Sequence, residues 1–237
     1  MTRVLLTCEH GGHAVPTELR ALFAGADEVL RSHRGWDPGA LDLFTALRPL
    51  AHLALEGTTS RLVVELNRSL DGPDLFSAFT RDLPHAQRSH LIDEHYTPFR
   101  MAAADAVATW RAGRWNVLHL SVHSFTPELD GVRRPMDIGL LYDPTRVRER
   151  ALVDAWEQLM RTAAPDLVIR HNEPYLGTDD GHTTALRAAH PEGYAGIELE
   201  VNQRFASADG LRMDERVTAA IVRSFQALLT HPVATTP

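Results

Sequence analysis

Residues 7–16 read TCEHGGHAVP, a thiol, a carboxylate and two imidazoles set around a pair of glycines. Cys8, Glu9, His10 and His13 can each bind a metal or move a proton, more chemistry than a connector needs. His10 stands directly before Gly11-Gly12, where glycine lets the backbone pass close to a bound group; it is the first candidate metal ligand. Glu9 is either a ligand or the partner that orients one. His13 completes an H-x-x-H pattern, but in a loop, away from the helix face that gives such spacings their meaning.

Other polar clusters fall along the chain. His123 follows an alternating stretch in which Val117, His119, Ser121 and His123 share one face; His123 is a candidate ligand and His119 a structural residue. Asp37, in HRGWDPGA (33–40), is an acidic candidate that ordinary turn and capping chemistry would also explain. Asn67 and Arg68 follow the apolar stretch 61–66, and arginine grips a carboxylate with a planar fork that lysine lacks. Glu198, Glu200 and Asn202 share one face of IELEVNQ. Two carboxylates on a mostly apolar strand are costly to bury unpaired, so one of them suits general acid–base work unless an arginine neutralises it.

These clusters need elements to position them. The pattern predicts strands over 3–7, 52–55, 61–66, 116–122, 137–142, 167–171 and 195–201, and helices over 17–24, 39–48, 86–112, 146–162, 181–190 and 213–229. Pro98 should kink or break the long helix. The segment RVRER (146–150) reads as a solvated helix face and the tail HPVATTP as a frayed end. Strands alternating with helices predict a single α/β domain over 1–237, a three-layer α/β/α sandwich. In such sheets, sites gather beyond the carboxyl ends of the strands, where most of these clusters fall.

Composition narrows the function. A formal charge of −7 disfavours a nucleic-acid partner, whose binding needs phosphate neutralisation. The sequence holds one cysteine, so no internal disulfide forms. No apolar run approaches a signal peptide or a membrane span. The expectation is a cytoplasmic protein with no membrane partner; oligomeric state is left open. Ser60, Ser69 and Ser124 lie in no G-x-S-x-G context, which argues against a serine hydrolase, and Cys8 reads as a packing residue.

Taken in order, CEHGGHAVP, HRGWDPGA, SRLVVELNRS, LHLSVHSFTP, IGLLYDP, NEPYLGTDDGHTTALR and GIELEVNQR resemble the N-formylglutamate amidohydrolase family over nearly the whole chain. That family is similar to zinc carboxypeptidases and aspartoacylase-like deacylases. The resemblance implies a carboxypeptidase-like (phosphorylase/hydrolase-like) fold with a mostly parallel, mixed central sheet and one Zn2+ per chain, with other divalent metals as alternatives. It implies His10, Asp37 and His123 as ligands, with Glu9 or His13 competing with Asp37 for the third place. Asn67 and Arg68 match the "LNR" stretch that holds a substrate carboxylate, and Glu200 the late glutamate that works on the attacking water, with Glu198 as its rival. Tyr175 and His182 are further candidate substrate contacts on a loop over the site. EHGG stands where histidine-degrading members carry a PHSG-like stretch, which leaves the substrate open.

The expected reaction is zinc-dependent hydrolysis of a linear amide in a small N-acyl amino acid such as N-formyl-L-glutamate. Two alternatives stand beside it: another peptide-like or peptidoglycan-type amide on the same machinery, and a non-catalytic binding module on the same fold.

Overall fold

The apolar run after Arg3 forms β1 (Thr2–Cys8) in the computed structural model, which describes residues 2–235. The remaining strands are β2 (Leu53–Glu56), β3 (Asn116–Phe125), β4 (Glu128–Leu129), β5 (Val132–Arg133), β6 (Ile138–Leu141), β7 (Ile169–His171) and β8 (Tyr194–Asn202). The α-helices are α1 (Asp27–Arg31), α2 (Ala40–Leu47), α3 (His85–Leu91), α4 (Thr97–Ala112), α5 (Val147–Ala163), α6 (His182–Ala189), α7 (Glu215–Thr230) and α8 (Pro232–Thr235).

Six strands make one mixed sheet in the order β2-β1-β3-β8-β6-β7. Every pairing is parallel except β6 with β8. Parallel strands buried on both faces read as long hydrophobic runs, and here all nine residues of β8 are buried. One face packs Val4, Leu6, Leu120, Val122, Ile197 and Leu199 against Phe44 of α2, Trp156 of α5 and Phe225 of α7. The other packs Leu5, Val117 and Tyr194 against Ala103 and Val107 of α4 and Leu186 of α6. The result is the expected α/β/α layering.

The second face changes character along its length. It starts apolar at Leu5, Val117 and Tyr194 and turns polar toward the carboxyl ends. Register pairs Thr7 with Ser121, Ser121 with Glu198, and His123 with Glu200. The alternation in β3 therefore does not separate core from solvent; both faces are buried, and the polar one forms the floor of a site.

Three expectations need correction. The stretch 61–66 is a turn, closed by Val63 N–H donating to the Ser60 carbonyl and Glu65 N–H to that of Leu75. Its apolar residues face two small clusters, Leu62 and Val63 in one, Val64 and Leu66 in the other, so burial against helices mimics a strand pattern. RVRER is not wholly solvated: Glu149 is fully buried, accepting from Arg187 Nε at 2.9 Å and from the backbone N–H of Gly196 at 3.0 Å. The tail begins with α8, whose Ala234 is buried and whose carbonyl accepts from Thr2 Oγ1; Thr236 and Pro237 lie outside the described residues. The segment 17–24 is a 3-10 helix (Thr17–Phe23), α1 was not expected, and the β4–β5 hairpin was missed although its two-residue turn, Asp130-Gly131 with φ +50 and +77, is a hairpin signal. The break expected at Pro98 is a π turn, Ile92–Tyr96, after which Pro98 enters the first turn of α4, where its missing N–H loses no helical bond. Among the described residues no helix is long and apolar enough to cross a membrane.

Candidate metal and active site

His10 leaves the sheet two residues after β1 ends, and its position is fixed by a close approach of two loops. A Cβ on Gly12 would lie 2.5 Å from the Thr58 carbonyl oxygen, and one on Gly11 3.1 Å from that of Gly57. The glycine pair thus lets the 57–58 segment pass, rather than a bound group. Asp37 N–H donates to the His10 carbonyl at 2.9 Å, which ties the GWDPGA loop to this one. Gly39 follows with φ +81, a left-handed turn that suits glycine. The turn reading of Asp-Pro-Gly and its chemical reading both hold.

His10, Asp37 and His123 converge, each offering a donor atom within 4.8 Å of the others. All three are at most 3% exposed. Asp37 Oδ2 lies 3.3 Å from His10 Nδ1 and 2.9 Å from His123 Nδ1. The far nitrogens are also engaged: His10 Nε2 meets Glu65 Oε1, and His123 Nε2 meets Ser121 Oγ at 2.8 Å. Both rings therefore turn Nδ1 inward and anchor Nε2 on the protein, the arrangement that metal-ligating histidines use.

Charge follows geometry. Burial penalises the carboxylate of Asp37, but the charge and hydrogen bonds of His10 and His123 outweigh it and hold Asp37 well below the usual carboxylate range. Burial opposes the His123 cation, yet Asp37 outweighs it and pushes the pKa up to about 10. Glu65 is likewise buried and still held low, chiefly by Arg61 and then by His10. Arg61 donates from Nε to Glu65 Oε2 at 2.7 Å and lies 3.4 Å from Asp37 Oδ1. Glu65 and Arg61 escaped the sequence reading because an assumed strand hid them. The signal was present: an arginine and a glutamate four apart within an apolar run must be paired if buried.

Glu200 is set differently. It is 5% exposed and lines the same pocket as His10, Asp37 and His123. No arginine salt bridge reaches it among the described residues, and its Oε2 is a buried oxygen with no hydrogen-bond partner there. Burial raises its pKa to about 8, with Asp37 and Glu198 adding to the rise and His123 opposing it. Gly139, its antiparallel neighbour, leaves room where a Cβ would strike the Glu173 carbonyl at 2.1 Å. Glu198 shares the pocket wall, but its Oε1 accepts from Thr183 Oγ1.

Asn67, Arg68 and Tyr175 also line this pocket. Asn67 Oδ1 accepts from the His182 backbone N–H at 2.6 Å, so its amide NH2 is left to donate. Arg68 Nη1 donates to the carbonyls of Asn67 and Asp180, at 2.8 and 3.1 Å. No carboxylate salt bridge occupies the Arg68 guanidinium among the described residues, which leaves its outer edge for an anion. The Tyr175 hydroxyl accepts from Arg134 Nη1 at 3.0 Å.

Three candidates are placed elsewhere. His182 is 1% exposed and off the pocket wall, with Nδ1 2.8 Å from Glu9 Oε1. Glu9 is not with His10 and Asp37. It belongs to a second trio with His119 and His182, in which His119 is committed to Thr7 Oγ1 at 2.8 Å and the Tyr194 hydroxyl at 2.7 Å. His13 packs against Trp36, with ring centroids 4.9 Å apart, and joins neither trio.

Comparison with known proteins identifies a family and related folds. Residues 2–206 match the family model for N-formylglutamate amidohydrolase. A crystal structure of a gene product from Agrobacterium tumefaciens is 30% identical, with a TM-score of 0.78 over 96% of this chain and 90% of that one. The N-formylglutamate amidohydrolase from Ralstonia eutropha JMP134 shares the fold at 20% identity, with a TM-score of 0.66 over 95% of this chain and 90% of that one. A metallo-carboxypeptidase from Burkholderia cenocepacia is a distant likeness, at 14% identity and a TM-score of 0.40 over 97% and 57%. Among curated proteins nothing matches the chain.

Proposed function

The chain belongs to the N-formylglutamate amidohydrolase family, and from that premise we propose that it is a zinc-dependent amidohydrolase that removes a small N-acyl group from an amino acid, with N-formyl-L-glutamate as the first substrate to test. One observation carries the reading: a buried His10–Asp37–His123 trio shares its pocket with a carboxyl, Glu200, that no arginine salt bridge reaches among the described residues and that has one oxygen unpartnered.

The trio suits a divalent cation. Two imidazoles and one carboxylate are a donor set that zinc takes in catalytic sites with a fourth position open, and the anchored Nε2 atoms leave both Nδ1 lone pairs for the ion. Bound there, zinc would supply a Lewis acid and lower the pKa of water toward neutrality. His10, Asp37 and His123 would hold it with a single negative charge among them, so the centre would stay cationic.

The chain's own residues do the rest. Arg68 and the Asn67 NH2 bind the substrate carboxylate and so fix the acyl carbonyl relative to Glu200. Glu200 takes a proton from the attacking water as the oxygen bonds to the carbonyl carbon. It returns that proton to the leaving nitrogen as the C–N bond breaks, releasing the acid and the free amine. A base with a pKa near neutrality suits both transfers, and burial provides it. Tyr175 and its partner Arg134 close the outer wall.

The test is elemental analysis of the purified protein, with His10→Ala and His123→Ala alongside, and a screen of N-acyl amino acids with free and amidated carboxyl groups. About one zinc per chain, lost in both variants, with hydrolysis only of free acids, supports the reading. A wild type that takes up no metal when offered zinc overturns it.

A further inference from the structure

The two imidazoles are anchored by different devices. His10 Nε2 meets the Glu65 carboxylate directly, whereas His123 Nε2 reaches a carboxylate only through a hydroxyl. Ser121 Oγ donates to Glu9 Oε2 at 2.7 Å and lies 2.8 Å from His123 Nε2; Glu9 Oε2 itself is 3.5 Å from that nitrogen. Glu9 Oε1 lies 2.8 Å from His182 Nδ1. His123, Ser121, Glu9 and His182 thus form one buried chain, each at most 3% exposed. No arginine or lysine salt bridge reaches Glu9 among the described residues; these side chains alone hold it.

The donors and acceptors in this chain leave one assignment. As a carboxylate, Glu9 can only accept, so the Ser121 O–H is spent on it. Ser121 then has only lone pairs to offer His123, so His123 must carry its proton on Nε2. Nδ1 is the nitrogen that faces Asp37, at 2.9 Å; it carries a second proton while the ring is cationic and offers its lone pair once a metal takes that proton's place. The same reasoning puts the His182 proton on Nδ1, toward Glu9, and leaves His182 Nε2 without a partner, as observed.

We infer that Glu9, acting through Ser121 and held in place by His182, is a positioning residue: it fixes the tautomer and ring orientation of His123 and so sets how tightly the His10–Asp37–His123 site holds its metal. This rests on the metal-site reading above. It assigns to Glu9 and His182 a role in metal retention rather than as ligand and substrate contact. Outer partners of this kind typically contribute about 10–100-fold in metal affinity.

The experiment is zinc affinity measured by competition with a chromophoric chelator for wild type, Glu9→Gln, Ser121→Ala and the double variant, with circular dichroism of each metal-free protein as the folding control. Cobalt substitution adds a visible absorption band that reports ligand geometry. Ser121→Ala removes only an oxygen and keeps the site filled. Each single variant should bind zinc about 10–100-fold more weakly and shift the cobalt band. Because the residues act in series, the double variant should lose no more than the worse single one. Folded variants with wild-type zinc affinity overturn the inference while leaving the metal site standing. Losses that simply add in the double variant overturn the relay and assign separate roles. A wild type that binds no zinc overturns the function proposed above, and this inference with it.

Discussion

Glu200→Gln should abolish hydrolysis and, in the metal-free protein, make the fold more stable, by an amount that depends on pH. The carboxyl has an ordinary value of 4.5 and a buried value of about 8. Between the two, the unfolded chain is ionised while the folded one keeps its proton. The folded state therefore binds more protons, and stability falls as pH climbs through that window, levelling off above it. At about 1.4 kcal/mol per pH unit, the ionisable group destabilises the fold by about 1 kcal/mol near pH 5 and about 4 kcal/mol near pH 8. Glutamine keeps the shape and never ionises. The stability difference between variant and wild type should therefore widen by about 3 kcal/mol from about pH 5 to about pH 8. Urea unfolding of chelator-treated protein at the two pH values measures it, and loss of turnover by about 10²–10⁴ under metal-replete conditions confirms the role as base. Parallel pH–stability curves for the two proteins would refute the argument that burial, only partly offset by His123 and Arg61, sets this carboxyl. A variant that retains turnover would refute its assignment.

Other outcomes follow from the same geometry. Arg68→Lys should raise KM for free N-acyl amino acids by about 10–100-fold with kcat nearly unchanged, because lysine loses the fork while keeping the charge; steady-state kinetics would show a fall in kcat instead if Arg68 acted on the chemistry. Gly12→Ala should destabilise the metal-free protein by about 1–3 kcal/mol, since its Cβ would lie 2.5 Å from the Thr58 carbonyl oxygen, and a thermal melt unchanged from wild type would show that the loops yield. Asp214 caps α7 by accepting from Val217 N–H at 3.0 Å; Asp214→Ala should remove about 1 kcal/mol and lower Tm by about 2–4 °C, without altering zinc content.

Much of the layout was legible because buried parallel strands announce themselves as apolar runs, as around Val4 and Ile197. That His10 and His123 would converge was readable for a related reason: both stand at the carboxyl ends of such runs, where α/β sites form. What could not be read was anything decided by a neighbour distant in sequence. Val63 and Val64 have strand composition, yet no strand accepts them, and the turn they occupy turns Glu65 toward His10. Glu9 and His10 are adjacent in sequence but serve opposite ends of the polar face, a split that becomes visible only once β3 and the 181–182 segment are in place. His182 looked like a pocket residue because its flanking loop, with Tyr175, is one. The helix start at Gly181 turns the imidazole inward instead.

The strand order has a bearing on how the protein is made. The sheet is closed by β8, which sits between β3 and β6 although it is the last of the sheet strands in the sequence. Until the ribosome has delivered Tyr194–Asn202, the long apolar edge of β3 and the edge of β6 both stand unpaired, and neither can pair with the other in its final register. Such edges are templates for pairing between chains. The nascent polypeptide is thus most exposed to aggregation during the interval between synthesis of β3 and β8, and a chaperone that shields Asn116–Phe125 over that interval would raise the yield of folded protein more than one acting on the finished chain. His10, Asp37 and His123 are all synthesised before that interval closes, whereas Glu200 arrives with the closing strand itself.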